Sequence, residues 1–74
     1  MILKPEAAAF LMDRISDEAW NPEVVQEAMG GDAEQCTKWL LAKEPMPAKT
    51  YTSLLRLLGL APAGKGFMPM DDLA

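Results

Sequence analysis

Apolar residues recur along most of this chain at the three-to-four spacing of one helix face, and turn-forming residues separate the stretches. Ala8, Leu11, Met12 and Ile15 form the first stripe. Pro5 suits a first helical turn, where its missing N–H is no loss, and Glu6 follows near the positive end of the helix dipole. The spacing predicts a helix over about residues 5–15, ended by the polar stretch Ser16-Asp17-Glu18. A second helix opens with Asn21 as N-cap and Pro22 as first helical residue. Trp20 and Val25 around that start have the spacing of a hydrophobic staple. Val24, Val25, Ala28 and Met29 are its expected buried face, and Gly30-Gly31 stop it, because glycine accepts the left-handed conformation at low cost. Asp32 caps a third helix, with Gln35 three residues later in the manner of a capping box. Cys36, Trp39 and Leu40 point to the core from that helix, and Glu34, Thr37, Lys38 and Leu41 occupy the opposite face. Glu44-Pro45-Met46-Pro47 forces a break, since a residue before proline avoids the helical region. The fourth helix begins near Pro47 and runs through Tyr51, Leu54, Leu55 and Leu58. Arg56 stands in its last turn, Gly59 ends it, and Leu60 is the apolar partner of a Schellman cap.

No stretch alternates with the period of a strand, and no segment repeats. Residues 61–66 read as a linker. Phe67, Met68 and Met70 form an apolar patch on a loose tail. The expected architecture is all-α. A small four- to five-helix bundle containing a helix-turn-helix occupies residues 1–60, and a Gly/Pro-rich linker with a short apolar and acidic tail follows over 61–74.

Composition narrows the chemistry. The 74 residues make one small domain, half of it apolar, which suffices for a core. No apolar run approaches the roughly 20 residues of a membrane span, and Met1 to Pro5 lacks the regions of a signal peptide. A cytoplasmic protein with no membrane partner is therefore expected. The single Cys36 allows neither an internal disulfide nor a cysteine-rich metal site. With no histidine there is no imidazole base, no Ser-His or Cys-His pair and no His-ligated metal. So small a core leaves little room for a closed pocket, so neither an enzyme nor a cofactor is expected. Gly64-Lys65-Gly66 lacks the spacing and the following Ser or Thr of a phosphate loop. The net charge of −4 is unevenly spread. Residues 1–35 hold eight acids against Lys4 and Arg14. Residues 36–70 hold Lys38, Lys43, Lys49, Arg56 and Lys65 against Glu44 alone. A basic second half keeps nucleic acid among the partner classes.

Two short helices joined by a glycine turn, the second holding a core Trp, resemble a helix-turn-helix. With Gly30 as the turn glycine, apolar Cys36 falls six positions later and Trp39 nine, within Thr37-Lys38-Trp39-Leu40. Ala42-Lys43-Glu44-Pro45, then Met46-Pro47 and the leucine-rich run to Leu58-Gly59-Leu60, continue in the same register. Over roughly residues 21–60 the chain resembles the Cro/repressor-type (XRE-like) family of small helical DNA-binding domains. It departs from that family at Gln26, where a buried alanine is usual, and at Ala42, where a glycine usually follows the recognition helix. It departs also at Asp32 and Glu34, where neutral or basic groups usually open that helix. The resemblance implies that the third helix enters the major groove, with Gln35, Thr37 and Lys38 as base readers. Lys43 and Lys49 would then contact phosphate. It implies a small transcriptional repressor of phage or mobile-element type, working on double-stranded DNA by operator occupancy as a homodimer.

Plainer readings stand beside these. Glu34 and Lys38, at i and i+4, can simply pair on a solvated face. Trp39 and Cys36 are read as core. Leu41, with Leu57, Phe67 and Met68, is the candidate protein interface. The alternative function keeps the fold and changes the partner: an acidic helical protein that binds and inhibits a host protein. The charge map separates the two. Lysines clustered clear of the acids favour the regulator, and acids surrounding that face favour the inhibitor.

Overall fold

The computed structural model describes residues 2–63 and 66–70. Four helices come first: α1 (Pro5–Asp17), α2 (Pro22–Met29), α3 (Ala33–Leu40) and α4 (Ala48–Leu58). Two strands follow, β1 (Leu60–Ala63) and β2 (Gly66–Pro69).

The starts of α2 and α3 are those the caps dictate. Asn21 Oδ1 accepts the Glu23 N–H at 2.8 Å, and Pro22 takes the first helical position. Asp32 Oδ1 accepts the Gln35 N–H at 2.8 Å. Trp20 and Val25 both join the core, as a staple requires. Two details differ from expectation. Helix α1 runs through Ser16 and Asp17, its last turn closed by Arg14 Nε on Glu18 Oε1 at 2.7 Å. Val24 is exposed, leaving Val25 and Met29 as the buried pair of α2.

The core draws on every part of the chain. Leu11 of α1, Met46 of the α3–α4 connection, Leu54 of α4 and Leu60 of β1 are its largest fully buried side chains. One polar residue is buried with them: Thr50 donates its hydroxyl to the Met29 carbonyl at 3.1 Å, fastening α4 to the end of α2. The indole N–H of Trp20 is buried without an acceptor among the described residues.

The chain is not all-α, because residues expected to be linker and tail form an antiparallel hairpin. Leu60 pairs with Pro69, Ala61 with Met68, Pro62 with Phe67 and Ala63 with Gly66. Both strands are edges, so Pro62 and Pro69 can turn their N–H-less nitrogens away from the ladder. The Met70 N–H donates to the Gly59 carbonyl at 2.8 Å and closes the pairing against the end of α4. This hairpin is part of the core rather than an appendage. Leu60 and Ala61 are buried, and the Phe67 ring stacks on Phe10 with centroids 5.2 Å apart and meets Tyr51 at 6.4 Å. Of the expected linker and tail, Gly64, Lys65, Asp71, Asp72, Leu73 and Ala74 lie outside the described residues. No helix among the described residues is long and apolar enough to cross a membrane.

Candidate nucleic-acid interface

Helices α2 and α3, eight residues each, are joined through Gly30, Gly31 and Asp32. The two glycines answer different demands. Gly30 adopts φ 79°, and its N–H bonds the Gln26 carbonyl at 2.8 Å, ending α2 in the left-handed conformation. Gly31 makes room for an indole: a Cβ there would stand 3.0 Å from Trp39 Cζ3 and 3.2 Å from Cη2. The Cys36 thiol donates to the Gly31 carbonyl at 3.7 Å from the other side. Cys36 and Leu40 are buried and Trp39 is half-buried against the core, so the orientation of α3 is fixed on its inner face.

The outer face of α3 is open among the described residues. Ala33, Glu34, Thr37, Lys38, Leu41 and Lys43 line one shallow concavity of about 450 Å³. The structure thus brings together three of the five residues expected to touch DNA: Thr37, Lys38 and Lys43. Gln35 lies outside that hollow, on the flank of α3. Lys49 lines a separate depression of about 390 Å³ beside the Gly30 turn, shared with Glu27, Thr50 and Ser53. Leu41 is 45% exposed on the α3 face. The other three candidate interface residues do not join it: Leu57, Phe67 and Met68 are half-buried, and Leu57 and Phe67 pack on the core.

Acids attend the cations here. Lys38 Nζ stands 3.5 Å from Glu34 Oε1 and 3.8 Å from Glu44 Oε1. Gln35 Nε2 donates to Glu44 Oε2 at 2.7 Å instead of reaching back to Asp32, so only half of the expected capping box forms. Lys43 and Lys49 make no ion pair among the described residues. Asp32 and Glu34 have a local reason for their places, since one caps α3 and the other stabilises its positive end. Thr37 donates its hydroxyl to the Ala33 carbonyl at 2.8 Å along the same helix.

Glu44 was not among the expected site residues. It arrives there through the end of α3. The Ala42 N–H bonds the Trp39 carbonyl at 3.1 Å and the Lys43 N–H bonds the Lys38 carbonyl at 2.9 Å, the paired bonds of a Schellman cap. Ala42 holds the left-handed position at φ 60°, where glycine is usual. The reversal folds the chain back along α3, and Glu44 lands beside residues one turn and more before the helix end. The sequence signal was Ala42 itself, standing where the resembled family keeps a glycine.

Burial, with the charge of Asp32 nearby, pushes the Cys36 thiol above its ordinary range. Burial likewise raises the Tyr51 phenol, which packs against Phe67. Compared with known proteins, the chain matches no family model, no curated protein and no solved structure.

Proposed function

We propose that this chain is a small DNA-binding transcriptional regulator that works in the cytoplasm by occupying an operator, with no chemistry of its own. The observation that carries this reading is the α2–Gly30–α3 unit, whose second helix is fixed by its inner face while its outer face, with Thr37, Lys38 and Lys43, lines an open hollow among the described residues. A helix of that kind fits a major groove about 12 Å wide. Its neighbours supply phosphate contacts: Lys43 beyond its end and Lys49 in the first turn of α4. By the charge map the lysines do not cluster clear of the acids, which counts toward the inhibitor, but the acids near Lys38 are weak competitors for it. Both of its ion pairs are solvated and no shorter than 3.5 Å, and a helix pair of this type is worth about 0.2–0.5 kcal/mol. A phosphate can displace either. A dimer on two half-sites one helical turn apart completes the mechanism.

The test is fluorescence anisotropy on labelled duplexes tiled across the gene's upstream region, at low and moderate salt. Saturable binding to one duplex, weakening with salt, is the expected result. Equal weak binding to every duplex, or none, overturns the reading.

A second reading has its own observation. Glu34 and Glu44 flank Lys38, and Leu41 is exposed in the same hollow as Glu34 and Lys38, a mixture of acid and apolar surface that suits a protein partner. Under this reading the chain binds and inhibits a host protein through α3. Leu41→Ala then abolishes capture of that protein, while an operator-binding regulator, which loses neither a cation nor a hydrogen-bonding group, tolerates the change far better.

A further inference from the structure

We infer that Glu44 is a positioning residue for DNA reading, one that orients the amide of Gln35 and restrains Lys38 so that sequence preference is gained while general affinity is held down. The inference rests on the regulator reading above and assigns a role outside the set of contacting residues. Its basis is the division of one carboxylate between two neighbours. Oε2 takes the Gln35 Nε2 at 2.7 Å in a half-buried contact, and Oε1 stands 3.8 Å from Lys38 Nζ. The backbone holds Glu44 there independently, since its own N–H reaches the Lys38 carbonyl at 3.4 Å, just past the left-handed Ala42.

A side-chain amide has two N–H donors and one acceptor oxygen, and its two ends are nearly alike in shape. A carboxylate accepts only, so Glu44 decides which way the amide faces: nitrogen toward Glu44, oxygen away. The bond is charge-assisted and stronger than a neutral one. One N–H goes to Glu44. The second N–H and the oxygen remain, and they are the donor and acceptor that meet adenine at N7 and N6. Glu44 also places a negative charge 3.8 Å from Lys38, where it opposes the approach of a phosphate backbone to that lysine. That charge weakens contact with every sequence equally, whereas orientation of Gln35 favours one.

Two variants separate these effects. Glu44→Ala loses the charge and leaves the Gln35 amide free to face either way, and Gln35→Ala loses the amide and keeps the charge beside Lys38. The probes are the best-bound duplex of the upstream set and an unrelated duplex of equal length. Glu44→Ala should bind the unrelated duplex several-fold more tightly than the parent chain, and Gln35→Ala should bind it as the parent does. Each should lose about tenfold of the parent's preference between the duplexes, within the range of one bidentate base contact, and the double variant should lose no more. In the free protein, the side-chain amide resonances of Gln35 should move to solvent-like positions in Glu44→Ala. Unchanged preference in Glu44→Ala, or a double variant that loses the sum of both, overturns the positioning role while leaving the regulator reading intact. Unmoved Gln35 resonances overturn the contact itself. Saturable binding of the parent chain to no duplex overturns the regulator reading, and this role with it.

Discussion

Two alanines in this chain carry backbone conformations that an L side chain resists. Ala19 and Ala42 sit at φ 52° and φ 60°, each ending a helix with the paired bonds of a Schellman cap. The left-handed region costs a residue with a Cβ about 1–2 kcal/mol, and glycine escapes that cost but gives back some of it through its freer unfolded state. Ala42→Gly and Ala19→Gly should therefore each stabilise the fold by roughly 0.5–1 kcal/mol, read as a rise in the urea midpoint. A fall at either position would show that the turn does not persist in solution. Thr50 presents the opposite case, a buried hydroxyl spent on the Met29 carbonyl. Thr50→Val keeps the shape and removes the donor, so it should cost about 1–2 kcal/mol by the same measurement. Cys36 and Tyr51 tie stability to pH. Both folded pKa values are raised, so the folded state keeps its protons where the unfolded chain releases them. Their contribution is whole below the ordinary thiol value of about 8.5 and phenol value of about 10, and drains away as pH rises through the folded values. The melting temperature should hold level to about pH 8 and then fall, and Cys36→Ala should delay the onset of that fall.

At the level of elements, the hairpin decides whether the four helices share one closed core. Leu60 is 1% exposed and sits where α4 hands the chain to β1. Leu60→Ala should cost about 2–5 kcal/mol, enough to unfold much of so small a domain, with loss of helical circular dichroism as the readout. An independent tail would leave the helices untouched. Nothing in residues 60–69 announced this element. Pro62, Gly66 and Pro69 read as breakers, the apolar residues do not alternate, and two strands of four residues bury too little for periodicity to register. The helices were legible because each begins at a side chain with a physical reason to be there, Asn21 and Asp32 above all, and because Leu11, Cys36, Leu40, Leu54 and Leu58 keep the helical period into the core. The interface was legible in part. Thr37, Lys38 and Lys43 follow from one helix face and its continuation. Gln35 does not, because its amide is claimed by a residue nine positions away, and such a pairing depends on a backbone reversal at Ala42 that no propensity for alanine foretells. Phe67 comes to lie on Phe10 and Tyr51 because the hairpin carries it there, and Leu57 packs on the core, so neither stands beside Leu41.

For the whole molecule the governing quantity is how few cations an acidic chain can offer to a polyanion. With a net charge of −4, long-range attraction to DNA is absent, and affinity must come from the cations that reach phosphate. On the α3 side these are Lys38, Lys43 and Lys49. Each phosphate neutralised contributes about 0.9 to the slope of log affinity against log salt, so one protomer with three contacts should show a slope near −2.7, and a dimer about twice that. Lys43→Ala and Lys49→Ala, which break no ion pair among the described residues, should each flatten the slope by about 0.9 per protomer and weaken all duplexes alike. Lys38→Ala should flatten it similarly and also change the preference among duplexes, because Lys38 lies on the reading face of α3. Arg14, already closed on Glu18 at 2.7 Å, supplies the control: Arg14→Ala should leave the slope where it was. A slope that exceeds three contacts per protomer, or one that Arg14→Ala flattens as much as Lys43→Ala, would place the DNA on a different face of the molecule. A protein-binding chain gives a different pattern again, in which salt scarcely matters to duplex binding and the acids around Lys38, not the lysines, set the dependence on ionic strength of the partner it does hold.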